Sequence, residues 1–150
     1  MMIKKTSIKT KMGWISAFEV NGKIIQIKFG KIKKIENSIL LNILAKKIKN
    51  FFNKKITKIK IPHQIKGNKI QKKVWNELKN IKLGSTKSYG DIAKKHNISP
   101  RYVGKICGQN KLLLLVPCHR VIRSDGDLGG FSSSGGSNLK KKLLDFEKNF

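Results

Sequence analysis

The first third of the chain alternates apolar and polar residues and then changes to a helical period. Residues 14–20 and 24–29 alternate on either side of Asn21-Gly22. Because that dipeptide is typical of a two-residue turn, the pattern predicts an antiparallel hairpin. Across residues 38–52 the apolar positions recur every three to four residues, which predicts an amphipathic helix.

The alternation returns loosely over residues 55–61, which predicts one more strand, ended by Pro62. Residues 63–68 are polar and read as a linker. The chain is therefore predicted to contain an N-terminal α+β domain at residues 1–66 and a mainly helical domain at residues 67–150. The fold class is α+β.

Four helical segments are predicted in the second domain. Residues 70–81 and 88–96 carry apolar positions on one face, and Ser99-Pro100 is a typical helix start, with an N-cap followed by proline. Because a short turn separates the second and third segments, they are predicted to form a helix-turn-helix. The fourth helix covers residues 138–148.

Composition narrows the partners that the chain is expected to bind. The net charge is +26, and only three of the 34 basic residues are arginine. Such a charge favours nucleic acid as a partner, while lysine codon bias in an AT-rich genome explains it equally well. Two cysteines and the lack of an apolar leader or span favour a cytoplasmic protein with free thiols and no membrane contact.

The residues with reactive side chains lie in the segment Pro117-Cys118-His119-Arg120-Val121. This segment follows the apolar run 112–116, which is predicted to be a buried strand. A thiol reacts as its thiolate, and a neighbouring imidazole or cation lowers the thiol pKa toward neutrality. The motif therefore predicts a reactive cysteine.

Residues 70–147 resemble the C-terminal domain of the O(6)-alkylguanine-DNA alkyltransferases. The matching pieces include Val74-Trp75, residues 88–93, Pro117 to Ile122, and Lys140 with Leu143-Leu144 and Glu147. Residues 1–62 match the family's N-terminal domain only by pattern. The resemblance implies a ribonuclease H-like N-terminal domain and a DNA repair protein that transfers an alkyl group from guanine irreversibly to itself.

The resemblance also implies the catalytic residues. Cys118 would be the nucleophile, His119 would accept its proton through a water, and Glu147 would orient the imidazole. Taken without the family, Glu147 reads as a solvated charge near the C-terminus. Cys107 is predicted to be a core residue.

Five further residues are assigned to substrate or DNA binding: Tyr89, Arg101, Asn110, Arg120 and Ser132. Arg101 resembles the family's arginine finger, which fills the space left by a flipped base, and Tyr89 resembles the residue that assists flipping and leaving-group protonation. Asn110 resembles a hinge that ties the helix to the active-site segment. Without the resemblance, Arg101 is interpreted as a phosphate contact, Tyr89 as a core ring and Asn110 as a helix C-cap.

Two other classes of protein stay open at this level. One is a non-catalytic module that recognises alkylated DNA and recruits repair, and the other is a helix-turn-helix regulator with an oxidation-sensing thiol. The resemblance favours a monomer that binds double-stranded DNA carrying alkylated guanine, without a cofactor. The scattered histidines predict no metal site.

Overall fold

A computed structural model describes residues 2–129 and 136–150, and its elements alternate between short strands and helices. None of the helices in these ranges is long and apolar enough to cross a membrane. The elements are β1 (Lys4–Thr10), β2 (Gly13–Val20), β3 (Lys23–Phe29), α1 (Ile39–Phe52), α2 (Lys69–Leu78), β4 (Lys87–Ser88), α3 (Tyr89–His96), α4 (Pro100–Gly108), a 3-10 turn (Cys118–Arg120), β5 (Val121–Ile122) and α5 (Gly136–Lys148).

The chain divides into two compact units. The first unit contains Met1–Ile65 and Lys111–Leu115, and the second contains Lys66–Asn110 and Val116–Phe150. The first unit therefore includes a short segment from far along the sequence. The mixed α/β class agrees with the prediction.

The first unit is a three-stranded antiparallel sheet, in the order β1-β2-β3, that packs on α1. The turn between β2 and β3 places Asn21 and Gly22 at φ of 50° and 77°, as a tight hairpin turn of this type requires. The hairpin prediction is therefore confirmed. Strand β1 was not predicted from the sequence, because its inward positions include the polar Thr6 as well as Ile8.

Two predicted strands are absent from the described residues. Residues 55–61 form no strand, and the only pairing nearby is a single bridge between Ile24 and His63. Residues 112–116 likewise make one bridge, between Ile27 and Leu112, before Leu114 turns the chain at a φ of 72°. In both segments most of the apolar residues are buried by packing rather than by strand pairing, while Ile56 and Leu114 are half-buried.

The second unit contains the helix-turn-helix, formed by α3 and α4. Ser88 and Ser99 cap the two helices, each accepting a hydrogen bond from a backbone N–H three residues later. Asn97 ends α3 in the left-handed conformation, at a φ of 55°, and so produces the sharp turn. Trp75 of α2 supports the pair, since its indole N–H donates to the carbonyl of Ile106 at 3.0 Å.

Candidate active site

A cleft of about 960 Å³ opens in the second unit beside the helix-turn-helix. Residues from α3, α4, the 3-10 turn and the loop after β5 line it. They are Tyr89, Gly90, Pro100, Arg101, Gly104, Cys107, Gly108, Cys118, Arg123, Ser124, Asp125 and Gly129. The cleft thus brings Cys118 together with the two helices.

Backbone pairing brings Cys118 next to Tyr89. The parallel pairs Lys87 with Val121 and Ser88 with Ile122 fix the chain just after the 3-10 turn against the chain just before α3. The backbone N–H of Cys118 donates to the carbonyl of Val116 at 2.8 Å. The thiol is therefore held at one place in the cleft wall.

The resting state of Cys118 differs from the sequence-based expectation. Burial raises the pKa of this thiol, while a hydrogen bond from Asn110 and the charge of Lys140 lower it only in part. The expectation of a pKa near neutrality was wrong, because the desolvation of a buried thiolate outweighs the nearby polar groups. At neutral pH Cys118 is therefore a protonated thiol.

His119, Arg120 and Glu147 form a buried network behind Cys118. His119 Nε2 lies 2.8 Å from Glu147 Oε2, and Arg120 Nε and Nη2 donate to the same carboxylate at 2.8 and 2.9 Å. Arg120 Nη1 also donates to the carbonyl of Ile81 at 2.6 Å. Burial opposes ionisation of Glu147, but the hydrogen bonds and charges of His119 and Arg120 prevail and lower its pKa to about 2.

This network leaves one nitrogen of His119 for chemistry. Since Nε2 faces the carboxylate, Nδ1 is the nitrogen that can take up a proton. Glu147 stays charged and can stabilise the imidazolium that results. The reading of Glu147 as a solvated surface charge was wrong, because α5 turns this side chain inward, 3% exposed.

Arg120 does not line the cleft. This residue was predicted to bind substrate or DNA, yet its guanidinium is buried against Glu147 and Ile81. The reason is that α5 brings a carboxylate into its reach. In this position Arg120 holds Glu147 in place rather than facing solvent.

Lys140 is a member of the site to which sequence analysis assigned no role. Its side chain is fully buried, and Nζ donates to the hydroxyl of Tyr89 at 3.1 Å. Burial lowers the pKa of Lys140, and the thiols of Cys118 and Cys107 offset part of that shift. The signal was available, because Lys140 precedes the inward Leu143 and Glu147 by three and seven residues and so shares their helical face.

Burial also controls the pKa of Tyr89 and Cys107, two further residues that line the cleft. It raises the pKa of Tyr89 to about 12, with a smaller contribution from the thiols of Cys107 and Cys118. It also raises the pKa of Cys107 to about 12. Tyr89 is therefore a protonated phenol at neutral pH, and Cys107 is a protonated thiol of the cleft wall.

The remaining predicted residues lie at different positions around the cleft. Arg101 is exposed in the first turn of α4 and lines the opening. Asn110 lies just after α4, whose C-cap is Gln109, and Asn110 Nδ2 donates to the carbonyl of Val116 at 2.8 Å. Asn110 thus links α4 to the segment that carries Cys118. Ser132 lies outside the described residues.

Within the described ranges, no three histidine, cysteine, aspartate or glutamate side chains come together as metal ligands. The site instead combines a thiol, an imidazole held by a carboxylate, and a phenol held by a lysine. Beside them lies a helix-turn-helix with an exposed arginine. The fold and site define a helix-turn-helix protein with a buried cysteine in the wall of the adjoining cleft.

Comparison with known proteins gives the family. Residues 69–149 match the model of the 6-O-methylguanine DNA methyltransferase DNA-binding domain. The methylated-DNA–protein-cysteine methyltransferase of Metallosphaera sedula is 35% identical to this chain, and the match covers 97% of this chain and 94% of that protein. The protein of the same name from Methanocaldococcus vulcanius is 40% identical, and the match covers 79% of this chain and 74% of that protein. This chain belongs to the 6-O-methylguanine DNA methyltransferase family, which confirms the resemblance.

A solved structure supports the same family. The Mycobacterium tuberculosis OGT in complex with DNA is 26% identical and superposes with a TM-score of 0.87. The match covers 97% of this chain and 93% of that chain. The similarity therefore extends over both units, including the first unit, where sequence analysis found only a shared pattern.

Proposed function

We propose that this protein repairs DNA by moving the alkyl group of O(6)-alkylguanine to Cys118, once per molecule. The observation that carries the proposal is the placement of Cys118 in a cleft beside the helix-turn-helix, backed by the buried His119–Glu147 pair. Membership of the family and the names of its relatives supply the reaction class.

In the proposed reaction the Cys118 sulfur attacks the alkyl carbon and displaces the guanine oxygen. The thiol proton passes through a water to His119 Nδ1, and Glu147 stabilises the imidazolium. As the carbon–oxygen bond breaks, the electron pair stays on guanine, which takes a proton from Tyr89. The product thioether has no leaving group that water can displace, so the protein acts once.

The proposed substrate is guanine within double-stranded DNA, whose alkylated oxygen is hidden in the base stack. The nucleotide must therefore rotate out into the cleft. Arg101 would fill the gap in the stack, Tyr89 would crowd the neighbouring phosphate, and Ser132 would contact the guanine oxygen or the loop backbone. Asn110 would keep α4 and the Cys118 segment together during this movement.

The localisation, oligomeric state, cofactor requirement and domain organisation of the chain are part of the same proposal. We expect a cytoplasmic monomer that needs no cofactor, with domains at residues 1–66 and 67–150 and a ribonuclease H-like topology in the first. The three-stranded meander packed on α1 is compatible with part of such a topology.

The test is mass spectrometry of the intact protein and its peptides after incubation with duplex DNA containing one O(6)-methylguanine. We expect a gain of one methylene on the peptide containing Cys118, saturating at one per protein. Cys118→Ala should show no gain while still binding the DNA. Tight binding of the lesion without any mass gain in the wild-type protein would instead identify a recognition module.

A further inference from the structure

The sheet of the first unit has an outer face that combines lysines with aromatic rings. We call it the lysine–aromatic face, and it consists of Lys9, Trp14, Phe18, Lys28 and Lys31. The opposite face of the sheet carries Ile8, Ile15, Ala17 and Ile27 into the core. Packing of the core therefore does not explain why aromatic residues occupy the outer face.

Strand register places cations around both rings. Trp14 lies directly opposite Lys9 on β1, and Ser16, between the two rings, lies opposite Lys28 on β3. Lys31 Nζ lies 4.5 Å from the centre of the Trp14 ring, and Lys28 Nζ lies 5.5 Å from that of Phe18. Each ring thus holds one ammonium group by a cation–π contact.

The chain after β3 crosses this face as a strap and fixes the position of Lys31. Ser16 Oγ donates to the carbonyl of Gly30 at 2.6 Å, and the N–H of Ile32 donates to Ser7 Oγ at 3.0 Å. Trp14 remains 36% exposed beneath Lys31. Ser16 is fully buried beneath the strap, whereas Lys9, Lys28 and Lys31 around it are exposed, so the ammonium groups are held on the solvent side of this face.

Charge complementarity indicates the partner. Residues 1–65 contain sixteen lysines and only two acidic residues. Glu19 is engaged with Ser38 and the N–H of Gly22, and the backbone of Glu36 bridges to that of Lys5 at the other end of β1 from Lys9. Among the described residues, Lys9, Lys28 and Lys31 form no ion pair with either carboxylate, and lysines outnumber carboxylates in residues 1–65 by sixteen to two, so the face is suited to a polyanion.

We infer that the lysine–aromatic face binds the phosphate backbone of duplex DNA, as a second contact in addition to the helix-turn-helix. The rings are four residues apart on one strand, or about 13 Å. Duplex DNA carries one charge per roughly 1.7 Å of axis, so the face spans about eight phosphate charges. Lysines fixed in advance lose less side-chain freedom on binding than mobile ones do.

The first experiment measures binding of an unmodified 30-base-pair duplex as a function of salt. The Lys9→Gln, Lys28→Gln, Lys31→Gln triple variant should reduce the slope of log K against log salt by about 2.7, which is 0.9 for each lost phosphate contact. Between 50 and 200 mM salt, that change corresponds to a roughly 40-fold smaller loss of affinity than in the wild-type protein.

A matched control separates a binding face from diffuse charge. The triple variant Lys46→Gln, Lys55→Gln, Lys58→Gln removes the same charge from exposed positions of the same unit. We expect it to keep the wild-type slope. Equal changes in both triple variants, or no change in either, would overturn the inference in favour of unspecific charge from lysine-biased composition.

Tryptophan fluorescence gives a direct readout of the face. Trp14 is partly exposed while Trp75 is 5% exposed, so duplex binding should quench emission in the wild-type protein and much less in Trp14→Phe. Equal quenching in both would contradict contact at Trp14.

Reaction of Cys118 with free O(6)-alkylguanine should be unchanged in either triple variant. Absence of this reaction from the wild-type protein would instead contradict the proposed function.

Discussion

At the scale of single residues, the site depends on how burial and hydrogen bonding compete for each titratable group. Burial prevails at Cys118, Tyr89 and Lys140, and it opposes the charged form of each. At Glu147 the contacts with His119 and Arg120 prevail, and the carboxylate stays charged. In the resting protein Glu147 therefore carries the negative charge of this network, and Cys118 is a neutral thiol.

Glu147→Gln tests the value of this charge. Folding lowers the pKa from 4.5 to about 2, so the carboxylate stabilises the protein above pH 4.5 and loses that contribution as the pH falls through 2. The difference is worth roughly 3 kcal/mol. We expect urea unfolding to show that the wild-type advantage over Glu147→Gln is constant near pH 7 and shrinks between pH 4.5 and 2.

Glu147→Gln should also slow alkyl transfer, because the imidazolium of His119 loses its counter-charge. The exposed Asp145→Asn, two residues earlier on α5, serves as the control and should change neither property by more than about 0.5 kcal/mol. If the difference in unfolding free energy between the wild-type protein and Glu147→Gln did not change between pH 4.5 and 2, the ionised carboxylate would contribute no net stability.

Lys140→Met tests the buried ammonium group. The Lys140 charge lowers the pKa of Cys118, so its removal should move the pH profile of thiol reaction with iodoacetamide toward higher pH. Methionine fills a similar volume without the desolvation cost, so stability should stay equal or rise. Lys141→Met, at an exposed neighbouring position, should leave the profile in place.

At the scale of elements, the turn between α3 and α4 depends on one backbone conformation. Asn97 has a φ of 55°, which a β-branched residue adopts only with strain. We expect Asn97→Val to lower the free energy of unfolding by about 1–2 kcal/mol, and Asn97→Gly to be nearly neutral. Chemical denaturation measures both, and equal effects would show that the side chain matters more than the backbone.

Helix α4 should act on the duplex rather than on the alkyl group. Arg101→Ala is expected to slow repair in duplex DNA by roughly 10- to 100-fold, because a flipped base costs a few kcal/mol to hold out of the stack. Reaction with free O(6)-alkylguanine should stay near the wild-type rate. Lys105→Ala, exposed on the same helix, is the control, and equal slowing on both substrates would count against the finger role.

At the scale of the whole molecule, the charge of +26 opposes folding and favours DNA binding. Salt screens both effects, so added salt should stabilise the folded protein and weaken its binding of DNA. From 20 to 500 mM NaCl we expect the melting temperature of the free protein to rise by about 3 °C, equivalent to roughly 1 kcal/mol. Calorimetry measures this shift, and a melting temperature that falls with salt would show that ion pairs outweigh the self-repulsion.

The elements with strong local signals were predictable from the sequence. The Asn21-Gly22 turn, the Ser99-Pro100 helix start and the period of α1 each depend on residues close together in the chain. The extended segments 55–61 and 112–116 were predicted wrongly, since an apolar run is buried equally well as a strand or as an irregular segment. Which of these forms depends on whether a neighbouring strand edge is available.

The sequence by itself determined the family and the identity of the candidate nucleophile, because Pro117-Cys118-His119-Arg120-Val121 is contiguous and its chemistry is local. The tertiary structure alone decided the protonation of that nucleophile and the partners of Arg120 and Lys140. Those properties depend on burial and on α5, which begins 18 residues after Cys118 and supplies both Glu147 and Lys140. Desolvation and ion pairing act through space, and a linear pattern does not specify the distances that control them.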